Sequence, residues 1–214
     1  MKKITIVDYG SGNVLSAQKS FIKLAKDNNI EVDVLISKKL NDVKNSTHIV
    51  LPGQGAFSTC MNGLKKTDGL IDELSEFALI KKKPFLGICV GMQMLAKTSE
   101  ENGVHEGLGW IDGEVCKINP TDKNLKIPHM GWNTLNIEGE HPVLKGIFTG
   151  DHVYFVHSFH MVVGNRDQRL AYTDYGTEIT AVVGTENLLG FQFHPEKSAS
   201  VGLKMIENFL SWSP

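Results

Sequence analysis

The sequence predicts an α/β fold: one domain over residues 1–214, built on a mainly parallel, doubly wound sheet with antiparallel additions in the C-terminal half. Short β-branched runs alternate with longer stretches of helical apolar spacing through the first half, which implies crossover connections. The second half changes to strand-like pieces separated by short turns. No linker, internal repeat or low-complexity tract divides the chain.

Residues 3–8 (KITIVD), 31–36 (EVDVLI), 47–51 (THIVL) and 84–88 (PFLGI) are rich in Val and Ile and read as strands. Helical spacing appears at 14–26, through Val14, Leu15, Ala17, Phe21, Ile22, Leu24 and Ala25. It appears again at 68–80, through Leu70, Ile71, Leu74, Phe77, Ala78 and Leu79. Further strands are expected at 114–118, 152–159, 169–174, 179–183 and 188–193. From about Ala199, Val201, Leu203, Met205, Ile206, Phe209 and Leu210 mark a closing helix.

Composition narrows the function classes. A length of 214 residues with 41% hydrophobic content allows a sizeable core. The formal charge of -2 gives no global attraction to nucleic acid or an anionic membrane, so neither is expected as a partner. Lys38-Lys39, Lys65-Lys66 and Lys81 to Lys83 read as solvated surface. Three cysteines, Cys60, Cys89 and Cys116, are odd in number and unpatterned, which argues against a disulfide framework and for a reducing cytoplasm. The start, MKKITIVDYG, has too short an apolar run for a signal-peptide core, and nothing later approaches a membrane span.

One of those cysteines sits in PFLGICVGMQ, residues 84–93, where a strand ends in G-x-C-x-G before a helix. That is the form of a nucleophile elbow, a sharp turn that lifts one side chain above the sheet. The turn forces Cys89 into a sparsely allowed backbone conformation, and side chains at Gly87 and Gly91 would collide across the bend. A sulfur anion at a helix N-terminus also meets the partial positive charge of unpaired amides, and the Val90 amide would point at an anion forming beside it. Cys60 and Cys116 lack flanking glycines and read as structural.

A nucleophile needs a base, and FQFHPEK at 191–197 supplies a candidate. Pro195 steers His194 into extended backbone, where alternate side chains share a face. Glu196 would then hold the His194 tautomer while the other ring nitrogen faces the thiol, completing the three roles of a triad. The glycine cluster PGQG at 52–55 follows the third expected strand; in a doubly wound sheet its loop faces the elbow, so amides near Gln54 and Gly55 join Val90 around an oxyanion. His157 and His160 form the best metal pair, but an i, i+3 pair on a strand points to opposite faces, so no metal is expected.

GICVGMQ, FHPEKS and PGQG, in an order that spans nearly the whole chain, resemble class I glutamine amidotransferases. Within that family PHMGWN at 128–133, with VDYGSGN at 7–13, FVHSF at 155–159 and TDYG at 173–176, is similar to glutaminase subunits that feed ammonia to a synthase of histidine biosynthesis. The resemblance implies Cys89 as nucleophile, His194 as acid and base, Glu196 as its orienting partner, and the loop of Gly53, Gln54 and Gly55 with Val90 as the oxyanion site. It implies that Gln93, Glu101, His157, Ser158 and Phe159 hold L-glutamine, and that Asn13, Trp132, Asn133 and Lys197 lie near a partner. That partner would be a (β/α)8-barrel cyclase subunit, joined in a heterodimer, which yields imidazole glycerol phosphate and AICAR without a cofactor on this chain. Gln54 stands where many members carry Val, and Phe159 replaces a common Tyr. Supply of ammonia to a different synthase, such as a sugar-aminating one, and an α/β cysteine hydrolase or peptidase are the alternatives.

Overall fold

The computed structural model describes residues 1–214. The first half alternates as expected: β1 (Lys2–Val7), α1 (Val14–Asp27), β2 (Val32–Ser37), α2 (Leu40–Lys44), β3 (His48–Gly53), α3 (Phe57–Lys65), α4 (Leu70–Ser75, extended by a π-helical turn over Glu76–Ile80), β4 (Phe85–Cys89) and α5 (Val90–Gln93). Short strands β5 (Thr98–Ser99) and β6 (His105–Glu106) follow, then β7 (Gly113–Lys117), β8 (His129–Thr134), β9 (Asn136–Ile137), β10 (His152–His157) and β11 (Phe159–Val163). The chain closes with β12 (Arg169–Asp174), β13 (Glu178–Gly184), β14 (Leu188–Phe191) and α6 (Ala199–Ser211).

The large sheet has the order β2-β1-β3-β4-β14-β13-β12-β9. Its first four strands and β14 run parallel, and β13, β12 and β9 continue antiparallel. Every residue of β3, β4 and β14 is buried, which explains their unbroken apolar character. Helix α1 buries Ala17, Phe21, Leu24 and Ala25, and the Phe21 ring meets Phe209 of α6 edge-on at 6.3 Å. One cluster of 53 buried apolar residues joins these layers into a single core. No helix is long and apolar enough to cross a membrane.

The second half departs from the sequence reading in two ways. The strands expected at 114–118 and 152–159 do not extend the large sheet: β7 and β11 belong to a four-stranded sheet ordered β11-β7-β5-β6, and β10 pairs with β8 in a separate ribbon. The run 152–159 is really two strands that change partner at Ser158, a switch that apolar alternation does not reveal. The last strand is also not an antiparallel addition where it matters. β14 returns from β13 by a hairpin, so it lies antiparallel to β13 but parallel to β4, pairing Leu188–Phe191 with Phe85–Ile88. The carboxyl ends of β3, β4 and β14 therefore sit side by side at one edge, where an open α/β sheet gathers its ligands.

Candidate active site

Those three strand ends deliver Gln54, Cys89 and His194 to one cavity of about 290 Å³. Cys89 stands at the junction of β4 and α5 with φ 56° and ψ −115°, a left-handed conformation that a non-glycine residue rarely adopts. The glycines make the junction possible. A Cβ on Gly87 would lie 2.6 Å from the Gly91 carbonyl oxygen, one on Gly91 1.8 Å from the Leu51 oxygen, and one on Gly53 2.4 Å from the Gly91 nitrogen. Gly91 is thus required by its contact with β3, whereas the sequence reading placed both glycines across the bend from each other.

The His194 side chain lines the same cavity as Cys89 and is bonded to Glu196. Its Nδ1 bonds the Glu196 Oε1 at 2.9 Å, leaving Nε2 for the Cys89 sulfur. Burial works against a charged ring here, but hydrogen bonds to Cys89 and Glu196, with their negative charge, prevail and raise His194 from 6.5 to about 9. The backbone basis differs from the expected extended run. Only His194 is extended (φ −97°, ψ 103°), and Pro195 opens a 3-10 turn over Pro195–Lys197 that swings Glu196 back to the imidazole. Ser198 locks the turn: its hydroxyl donates to the His194 carbonyl at 2.6 Å and accepts from the Tyr154 amide at 3.0 Å.

The PGQG loop is tied from outside the cavity. The Tyr9 hydroxyl donates to the Pro52 carbonyl at 2.6 Å, and the Gln54 carbonyl accepts from Ser11 Oγ at 2.6 Å and from Cys60 Sγ at 3.5 Å. A planar trans peptide carries its N–H opposite its C=O, so these ties also set the amides of Gly53 and Gly55. No side chain ties the intervening Gly53–Gln54 peptide. Gln54, Gly55 and Val90 line the cavity, while Gly53 lies beneath it against the elbow.

Gln93, Glu101, His157, Ser158, Phe159 and Lys197 also line the cavity. Gln93 Nε2 donates to the Phe159 carbonyl at 2.8 Å and to Gln192 Oε1 at 3.0 Å. Glu101 Oε2 accepts from the Phe57 amide at the start of α3, at 2.7 Å. Burial holds His157 uncharged, down to about 3. Asn13, Trp132 and Asn133 stand outside the cavity. Asn13 caps α1 through the Ser16 amide, and Trp132 is 53% exposed on β8, edge-on to Tyr154. The Tyr154 carbonyl in turn accepts the His194 amide at 3.0 Å, so the ribbon that displays Trp132 touches the backbone of His194. His157 and His160 fall on different strands, and nowhere do three His, Cys, Asp or Glu side chains gather as metal ligands.

Sequence reasoning missed Tyr9, Ser11, His129 and Gln192. Gln192 is fully buried and donates to the Cys89 sulfur at 3.9 Å; a lone amide inside the apolar run 188–193 was its signal. Cys60, read as merely structural, touches the PGQG loop.

This arrangement of fold and elbow defines a class. The chain belongs to the class-I glutamine amidotransferase family, whose profile matches residues 5–212. Its relatives are more particular. It is similar to the Imidazole glycerol phosphate synthase subunit HisH of Rhodospirillum rubrum, 48% identical over 213 residues, covering 99% of this chain and 100% of that protein. The subunit of the same name from Cereibacter sphaeroides is 50% identical over 209 residues, 98% of each chain. Among solved structures, a glutamine amidotransferase of Thermotoga maritima shares the fold with a TM-score of 0.64 at 20% identity, covering 97% of this chain and 82% of that one.

Proposed function

We propose that this chain is the glutaminase subunit of an imidazole glycerol phosphate synthase in histidine biosynthesis, working in the cytoplasm. It hydrolyses L-glutamine with Cys89, His194 and Glu196 and passes ammonia to a separate (β/α)8-barrel subunit, which makes imidazole glycerol phosphate and AICAR. The observation that carries the reading is that Cys89 and His194 line one open cavity, with the His194 ring bonded to the Glu196 carboxylate at 2.9 Å. Full-length likeness to subunits of that name supports the choice of synthase over a sugar-aminating one.

The chemistry follows from the groups. The Cys89 sulfur attacks the carboxamide carbon of glutamine, and the Val90 amide with an amide of the Gln54–Gly55 loop holds the oxyanion, each worth about 3 kcal/mol in such sites. The imidazolium of His194 gives its proton to the departing nitrogen, ammonia leaves, and a glutamyl thioester remains on Cys89. The neutral ring then takes a proton from water, which attacks the thioester and frees glutamate. Ammonia is useful to an acceptor only while unprotonated, so the acceptor site must adjoin this one. Trp132 and Met130, exposed on β8 beside Asn133, supply an aromatic anchor for the barrel subunit, with Asn13 and Lys197 near the same contact.

Glutamine hydrolysis by the chain alone is expected to be slow and to rise when the barrel subunit and its nucleotide are added. Equal rates with and without them overturn the coupling. Cys89→Ala is expected to abolish glutamine use while the complex still turns over with added ammonium salt; loss of both overturns the division of roles. Ammonia delivery to a sugar-aminating enzyme instead would reassign the synthase.

A further inference from the structure

A single file of buried polar groups runs from the β8–β10 ribbon to the catalytic sulfur, and its direction is fixed at one end. The Phe159 carbonyl can only accept, so His157 Nδ1, at 2.8 Å, must carry the proton. His157 Nε2 is then the acceptor of a neutral ring, and His129 Nδ1, at 3.0 Å, must donate to it. His129 Nε2 accepts in turn from Asn133 Nδ2 at 3.2 Å. The Asn133 orientation is independently set, because its Nδ2 also donates to the Asp174 carbonyl at 2.9 Å and its oxygen accepts the Thr134 amide at 2.8 Å. Each proton therefore has one position, and burial, which keeps both rings uncharged, preserves it. His129 is only 2% exposed and lies between the rings of Phe155 and Tyr175, at 4.6 and 4.1 Å, which fixes its plane.

At the inner end the Phe159 carbonyl receives two donors, His157 Nδ1 and Gln93 Nε2, and so both its lone pairs are used. Gln93 Nε2 is also held by Gln192 Oε1, and Gln192 reaches Cys89. With its nitrogen doubly engaged, Gln93 turns its oxygen away from these partners, and the residue lines the cavity beside the nucleophile. We propose that His129, outside the cavity, is a positioning residue of this site: through His157 it holds in place the Phe159 carbonyl, the acceptor that anchors Gln93 Nε2 and so leaves the Gln93 oxygen for the substrate. The assignment rests on the glutaminase reading above.

Two measurements test it. In the chain labelled with 15N-histidine, a scalar coupling between His129 Nδ1 and His157 Nε2 is expected across the N–H···N bond; its absence, or His157 protonated on Nε2, overturns the relay whatever the enzyme's activity. In the complex with the barrel subunit, His129→Phe keeps the stacked ring and removes both nitrogens. It is expected to raise the KM for glutamine by about tenfold with kcat changed much less, while His129→Gln, which retains a donor and an acceptor, restores most of the KM. An unchanged KM in His129→Phe overturns the positioning role. Should His129→Phe fail to fold, the coupling and the KM of His129→Gln against His129→Leu decide instead. A wild-type complex with no glutamine turnover would fail the glutaminase reading while leaving the coupling to be read on its own.

Discussion

His194 is pulled in opposite directions by its surroundings, and the outcome governs the chemistry. Burial disfavours the imidazolium, yet Cys89 and Glu196 raise the ring to about 9, so at neutral pH the ring carries the proton that the proposed mechanism gives to the leaving nitrogen. Glu196→Gln removes the carboxylate charge. The ring is expected to titrate below 9, read by NMR, and kcat to fall by about 10²- to 10⁴-fold. Gly91 is the other residue on which the site depends. Gly91→Ala would place a methyl group 1.8 Å from the Leu51 carbonyl oxygen, against backbone that has no freedom to yield. A loss of about 3 kcal/mol or more is expected, read as a lowered urea midpoint or as insoluble protein.

The PGQG loop behaves as an element held at two points, Pro52 and Gln54, with one untied peptide between them. Ser11→Ala removes the shorter tie on the Gln54 carbonyl and is expected to lower kcat by about tenfold to a hundredfold with little change in KM. Parallel kinetics of Cys60→Ala, which removes the longer tie, should show a smaller loss. The elbow, the FHPEK segment and the PGQG loop were all legible in the sequence, because glycines where a Cβ has no room, proline before a turn and acid–base pairing are local demands that leave local marks. The ties from Tyr9 and Ser11 were not, because they depend on β1 lying beside β3 in the sheet. The β8–β10 ribbon escaped for a similar reason: PHMGWN mixes Pro, Gly and polar residues, and its strand character comes from pairing with Tyr154 and its neighbours. In the same way nothing short of tertiary structure brings His129 to His157, which lie 28 residues apart.

Across the whole molecule the buried histidines set the response to pH. Burial lowers His48, His129 and His160 to about 4 and His157 to about 3. The unfolded chain binds these protons near pH 6.5 and the native state refuses them. Their contribution is therefore complete above about 6.5 and is lost as pH falls towards 4, by up to about 1.4 kcal/mol per pH unit for each ring. His194 has the opposite sign: its contribution is complete below about 6.5 and is lost as pH rises through 9. Urea midpoints measured from pH 4 to 9 are expected to fall steeply on the acid side, with net proton uptake on unfolding at pH 5.5. The parallel pairing of β14 with β4 has a further consequence, one that concerns the ribosome rather than the finished enzyme. Synthesis delivers the thiol about a hundred residues before its base, and the strand that seats the base beside it is the last to enter the sheet. On the proposed mechanism, a chain that stops short of β14 has the thiol without its imidazole, and such a fragment is expected to leave glutamine intact.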